Sequence, residues 1–506
     1  MHHPLPGGRL RKPIESVRAD HAQGALNRKL GAGHLILLGV GCIIGAGVYV
    51  MTGTVAAHHA GPAVLLSFLL AGTACGFTAL CYAELAAALP VEGASYSYAY
   101  VALGEVFAWA LGWMLCLEFG LSGAALAAGA TGYLGSLLAD FGVILSPAWS
   151  QPTLQAVPTP TGHALEVSGN INLVACLLVA FFAAILIRGV SQSARANAIM
   201  VFIKLAVLGA FVIIGAPHVN SANWHPFIPP ATGGFAFGWA GILRGASILF
   251  FAYIGFEAVA TAAAEARNPR RDVPIGILGA LAVATLFYIA VAGVMTGLVP
   301  FRQLDVPDPV ALALAAVDMP VMALIIKVGA LTGLCSVLMV NTYAHSRVCL
   351  AMARDRLLPS AFGKIRSRFL TPHWGTAIVA AVAAAGAATL PMSVLGDLVS
   401  LGTGVVFLTV AFSVIWLRNN HPELTRPFTV PFGGVRIRGQ WIGVTPVISI
   451  LLTLAMVGPV LIDLTMRAIH GDWIPAAVLA GYIGLGASIY MFFGRRRSLV
   501  RLSVAH

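Results

Sequence analysis

Twelve stretches of this chain run apolar for about twenty positions or more, the length of helix that crosses the hydrocarbon core of a bilayer. They cover 34–56, 62–88, 98–136, 170–188, 196–216, 236–263, 274–299, 320–351, 374–390, 394–417, 442–463 and 473–493. A backbone in lipid must satisfy its own polar groups, so such runs can only become helices or a closed barrel. Their length and lack of strict alternation predict helices. Composition agrees, with 58% hydrophobic and only 10% charged residues among 506; a soluble domain carries about 25% charge. The expected fold is therefore an all-α polytopic membrane protein with twelve transmembrane helices. The third and eighth runs are long enough to include interfacial turns.

The net charge of +11 would suit a nucleic-acid binder, but its placement argues otherwise. Of 30 Lys and Arg, 25 fall on the same side as the N-terminus, counting Arg188 and Arg347 at the ends of runs that open there, and only Arg302 and Arg467 fall in loops on the other side. Lys204, Arg244 and Lys327 lie within runs. This is the positive-inside asymmetry, and it predicts cytoplasmic N- and C-termini in a multi-pass protein of the cell inner membrane. The basic excess reports topology and contact with anionic lipid, with no nucleic acid as partner.

The first thirty residues are polar and basic, and no cleavable signal peptide is visible. The expected organisation is an N-terminal tail (1–33), a membrane core, a pair of helices at 442–493 and a C-terminal tail (494–506). The loop at about 137–169 is rich in Pro, Thr and Ser and has no Lys or Arg. Seven dispersed cysteines, all in or beside apolar runs, read as reduced packing residues and not as a disulfide framework. No His-Glu-x-x-His or paired His/Asp array and no P-loop is present. The reading is therefore no enzyme, no cofactor and no metal.

The first run contains "GVGCIIGAGVYV", four glycines within nine residues, each costing about 1 kcal/mol relative to alanine in a helix interior. Gly41-x-x-x-Gly45 is a close-packing motif for membrane helices. It also suits an interrupted helix, whose free N–H groups face an anion and whose free carbonyls face a cation. Transporters built from inverted repeats carry such interruptions at matching positions of both halves. Five runs later, "FFAYIGFEAVA" (Phe250–Ala260) repeats the pattern around Gly255. The expected repeats are about 34–216 and 236–417, with the last two runs outside them.

Ionisable residues inside a membrane are costly and need a reason. Glu118 lies midway along the third run, as a protonatable or selectivity group, or else as half of a structural ion pair. Lys204 lies about ten residues into the fifth, too deep to snorkel easily, and serves proton coupling or a static pair. Glu257 follows the second interruption and suits a gate or proton relay. Glu84 reads as a helix-end contact, Lys327 as a snorkelling residue, and Arg244 as one partner of an acid whose identity the sequence does not reveal.

The segments "GVGCIIGAGVYVMTG", "LCYAELAAALPVEGASYSYAY", "FFAYIGFEAVATAAAEARNPRRDVPIGI" and "ARDRLLPSAF" resemble the amino acid–polyamine–organocation superfamily, and within it bacterial members of the cationic amino acid transporter branch. The resemblance implies the leucine-transporter fold: a 5+5 inverted repeat with broken helices 1 and 6. It implies a substrate site of Ile43, Ile44, Gly45, Ala46, Gly47, Phe251, Ala252, Ile254 and Glu118. There the substrate carboxylate meets amides near Ala46 and Gly47, and the ammonium meets carbonyls of Ile43, Phe251 and Ile254. Phe251 gates the site, and Lys204, Glu118 and Glu257 couple protons. The implied function is secondary active, proton-coupled amino acid uptake by alternating access, with the amino acid, protons and lipids as partners. A proton-independent exchanger of amino acids or amines, and a sensor that binds without transporting, stay open. So do the substrate's charge and the oligomeric state.

Overall fold

The computed structural model of the chain describes residues 11–13, 30–89, 93–159, 162–189, 194–365 and 371–500. Most of the expected N-terminal tail and residues 501–506 of the C-terminal tail lie outside these. Helix occupies each of the twelve apolar runs. Nine helical segments are long and apolar enough to cross a membrane, and three shorter apolar helices (Ala32–Ile43, Leu173–Ile187, His373–Thr389) accompany them among the described residues.

In chain order the helices are α1 (Ala32–Ile43), α2 (47–60), α3 (Val64–Ala88), α4 (Ala94–Ala102) and α5 (Glu105–Ala139). A two-stranded hairpin follows, β1 (Leu154–Thr159) with β2 (Gly162–Val167), antiparallel with Leu154 opposite Val167. Next come α6 (Leu173–Ile187), α7 (Ala194–Gly215), α8 (Gly238–Leu249), α9 (Glu257–Thr261) and α10 (Pro269–Leu298). The chain continues through α11 (Pro309–Ala315), α12 (Pro320–Arg354), α13 (His373–Thr389) and α14 (Met392–Asn420). A second hairpin, β3 (Gly434–Ile437) with β4 (Gln440–Gly443), precedes α15 (Val444–Ile469) and α16 (Ile474–Ile489).

Local chemistry sets the boundaries. Proline opens α10, α11 and α12, where its missing N–H costs nothing. Asn172 caps α6, its side chain accepting from the Ala175 amide at 3.0 Å, the usual N-cap arrangement. Gly61, with φ +60°, turns the chain from α2 into α3, a conformation that side chains with a Cβ resist. The third apolar run is not one helix. Gly104 at φ +97° divides it into α4 and the 35-residue α5. The eighth run is a single unbroken helix, α12.

The core lies where α5 packs along α12 and α14, and where α10 packs along α1 and α3. Small residues allow the close approach, as expected where membrane helices gain little from hydrophobicity. A Cβ at Gly39 of α1 would stand 2.5 Å from the Ala280 Cβ of α10. By contrast α16 buries only Pro475 and Gly486.

Candidate functional site

Both glycine-rich interruptions are real breaks, and they face each other. The first helix ends at Ile43. Ile44 is extended (φ −73°, ψ 102°), and helical geometry resumes at Ala46 (φ −57°, ψ −26°) and continues as α2 from Gly47. In the sixth run, α8 tightens to a 3₁₀ turn over Phe250–Tyr253; Ile254 is extended (φ −58°, ψ 137°) and Gly255 has φ +118°. The chain becomes helical again at Glu257 in α9. A Cβ on Gly47 would meet Ala252 Cβ at 2.2 Å and Cα at 2.6 Å, and one on Gly255 would meet Cys42 at 2.8 Å. Two glycines thus let the two breaks lie against one another, backbone to backbone.

A broken helix leaves carbonyls behind it and amides ahead of it without intrahelical partners. Lys204 of α7 takes up part of the first set. Its ammonium donates to the Gly41 carbonyl at 3.0 Å and to the Ile44 carbonyl at 3.3 Å, with the residue 1% exposed. A cation at the C-terminal end of α1 also meets the negative end of the helix dipole. Among the described residues Lys204 pairs with no carboxylate. The Tyr288 hydroxyl of α10 lies 2.8 Å from the Ile43 carbonyl and 2.7 Å from the Ala252 carbonyl. Its one proton serves one of them at a time, so Tyr288 bridges the two breaks. On the far side, Tyr133 of α5 donates to the Tyr49 carbonyl at 2.8 Å and Thr52 to the Gly47 carbonyl at 3.0 Å.

Between the breaks lies a cavity of about 20 Å³, lined by Cys42, Ile43, Gly45, Ala46, Gly47, Ser122, Leu126, Phe251, Ala252, Ile254 and Val337. That is room for about one water, so a larger ligand requires its walls to part. Seven of the nine residues that the resemblance implies for the substrate are on this list. Ile44 turns its carbonyl to Lys204 instead. Glu118 lies on α5 one turn before Ser122, almost wholly buried, and its Oε2 has no hydrogen-bond partner among the described residues. Glu257 sits within electrostatic range of it. The Gly255 amide donates to Glu257 Oε2 at 3.0 Å, and Glu257 Oε1 is buried without a partner among the described residues. A buried carboxylate oxygen with spare acceptor capacity takes a proton or a donor readily. A larger cleft of about 460 Å³, lined by Arg356, Arg496 and Arg497 among others, lies away from the breaks.

The other intramembrane ions have structural partners. Arg244 of α8 donates to Asp397 of α14 at 2.8 Å and Asp463 of α15 at 3.0 Å. Glu84 of α3 accepts from Arg418 at 2.7 and 2.5 Å and from the Val430 amide at 2.7 Å, the helix-end contact expected of it. Lys327 pairs with Asp140 at 2.6 Å, where the sequence predicts snorkelling.

A profile of the family described as amino acid permease matches residues 30–485. The chain belongs to this family. It is therefore an integral membrane protein of the permease class. The permease is 39% identical to a protein of Bacillus subtilis (strain 168) named methylthioribose transporter, over 97% of this chain and 98% of that one. It is 35% identical to the branched-chain amino acid permease BcaP of the same organism, over 95% and 96%. It is 37% identical to the vacuolar cationic amino acid transporter 4 of Arabidopsis thaliana, over 82% and 67%.

Five residues at this permease's breaks escape a reading of the sequence: Cys42, Ser122, Leu126 and Val337 in the cavity wall, and Tyr288 across the breaks. Each is an ordinary residue of an apolar helix. Only the rule that a buried tyrosine hydroxyl finds a partner singles out Tyr288, and that rule does not say which partner.

Proposed function

We propose that this permease is a secondary active transporter that takes up amino acids with protons, by alternating access around the two helix breaks. The reading places it in the cell inner membrane as twelve spans with both termini in the cytoplasm. Ten spans form two inverted repeats of five, and α15 and α16 lie outside them. Ala46 and Gly47 amides would receive the substrate carboxylate. Carbonyls at the ends of the broken helices would receive the ammonium, under Phe251 as gate.

One observation carries the proposal: a lysine ammonium, buried and unpaired with any described acid, holds the carbonyls of the first break. Losing its proton leaves two N–H donors but takes the charge from both hydrogen bonds, reducing each from about 1.5–3 kcal/mol to about 0.5–1.5 kcal/mol. The break is thereby biased toward another arrangement, as coupling requires different proton affinities in two states. Glu118 and Glu257 supply further protonatable oxygens beside it. Lys204→Gln is expected to yield folded protein that equilibrates amino acid in proteoliposomes but no longer accumulates it under an inward proton gradient. Accumulation equal to the unaltered protein's would remove Lys204 from coupling.

The substrate has a second reading, favoured by the 39% identity to a protein named for methylthioribose, which has neither ammonium nor carboxylate. On the amino acid reading, one or more of the twenty amino acids raises the Tm of the purified protein and methylthioribose does not. Stabilisation by methylthioribose alone reverses the assignment.

A further inference from the structure

Among the described residues, one cluster of metal-ligating side chains lies away from the breaks. His345 and Cys349, four residues apart on α12, share a helix face. That face meets Cys116 of α5. The two sulfurs are 3.5 Å apart, and the three ligand atoms of Cys116, His345 and Cys349 lie within 4.8 Å of one another. All three residues are at least nine-tenths buried.

We propose that Cys116, His345 and Cys349 form a zinc site that clamps α5 to α12. A tetrahedral zinc ion lies about 2.3 Å from each thiolate sulfur, which sets the two sulfurs about 3.8 Å apart. The observed separation needs to open by only a few tenths of an ångström. Soft sulfur and imidazole ligands select zinc over magnesium or calcium. Charge selects a divalent ion over a monovalent one. On binding, each thiol gives up its proton, and two thiolates, a neutral imidazole and Zn²⁺ sum to zero. A neutral assembly avoids the desolvation cost that an uncompensated ion carries in a low-dielectric interior. Three protein ligands leave the fourth tetrahedral position open to an exchangeable ligand.

The clamp has a consequence for the cavity. Cys116 is two residues from Glu118, and α5 also carries Ser122 and Leu126, while α12 carries Val337. The ion would fix the spacing of the two helices that form one wall. Tyr482 of α16 reaches the same cluster, within electrostatic range of both thiols, and donates to the Trp113 carbonyl at 2.7 Å.

The test is a cobalt(II) titration of the full-length protein, purified in detergent under reducing conditions and stripped of metal. The expected result is one equivalent bound, with a thiolate-to-cobalt charge-transfer band and tetrahedral ligand-field bands, all removed when zinc displaces the cobalt. Cys116→Ser and Cys349→Ser, near-isosteric changes, should weaken or lose the band while the protein elutes as before. His345→Gln should weaken cobalt binding at least about tenfold, no less than the loss of a supporting outer-shell partner costs. Absence of a thiolate band in the unaltered, monodisperse protein overturns the proposal, whatever the variants do. So does an unchanged band in the Cys116→Ser/Cys349→Ser double variant. A Cys116–Cys349 disulfide as the form present in cells, found by mass spectrometry after thiol blocking, overturns it as well, because it consumes both ligands.

Discussion

A single added methyl group separates the roles of Gly45 and Gly47. At Gly47 it meets the Ala252 backbone at 2.6 Å, whereas at Gly45 its nearest neighbour is the Leu126 Cδ2 at 3.1 Å. A leucine tip can rotate away; the backbone of the other break cannot. Gly47→Ala is therefore expected to lose about 1–3 kcal/mol, the range for overpacking a close-packed interior, and to lower the Tm of the purified protein. Gly45→Ala is expected to keep its Tm, with any loss confined to substrate affinity. Equal Tm values for the two variants would mean that the breaks do not rest on each other through Gly47. The glycines are legible in the sequence because their helix penalty demands a reason, and Lys204 is legible because burying a charge does. Gly39 belongs to the packing against α10, as its neighbour Ala280 indicates. Tyr288, Ser122 and Val337 carry no such penalty. Nothing in the order of residues distinguishes them from the rest of their helices.

At the scale of elements, one arginine joins three helices. Arg244 of α8 is nearly inaccessible, at 1% exposure, and its Nη2 donates to both Asp397 of α14 and Asp463 of α15. The two acids are not equivalent. Asp397 is the more deeply buried, and Asp463 has a second cation in Arg467 at 2.9 Å. Removing one partner from a buried pair costs about 3–5 kcal/mol because the other charge is left uncompensated; partly exposed pairs approach the surface value of about 0–1 kcal/mol. Asp397→Ala should thus lower the Tm markedly more than Asp463→Ala, and Asp463→Ala should loosen α15 from the core. The reverse order of Tm values would place the main anchor of Arg244 on α15. The sequence marks Arg244 as needing an acid but not which acid, since its partners lie 153 and 219 positions away. Tyr288 acts at the same scale, because it ties α10 to both breaks. Tyr288→Phe removes one hydrogen bond of about 0.5–1.5 kcal/mol while keeping the ring that packs on Phe68 and Tyr253. A small Tm change with a clear change in transport rate is the expected pattern. A large Tm loss with unchanged rate per folded molecule would make the hydroxyl purely architectural. The length of the third apolar run allows a turn but does not place it; α4 (ASYSYAYVA) is its more polar part, and the φ of Gly104 marks the boundary.

For the whole molecule, the charge asymmetry and the helix count make a joint claim about sides. If each apolar run crosses once, the hairpin β1–β2 after α5 and the hairpin β3–β4 before α15 face opposite sides of the membrane. The first sits in a stretch without Lys or Arg, and the second carries Arg436 and Arg438. The three shorter helices are the weak points in the count, since loss of one crossing between the hairpins, at α6 or α13, would put both on the same side. The native cysteines are buried or half-buried, so they give a low labelling background. Ser146, before the first hairpin, and Arg436, on the second, are both exposed. Ser146→Cys is expected to react with a membrane-impermeant maleimide in intact cells. Arg436→Cys is expected to react only after the membrane is permeabilised. Reaction of both in intact cells would show that an odd number of crossings is missing between them. Reaction of Arg436→Cys alone would invert the molecule, and the excess of Lys and Arg would then need an explanation other than topology.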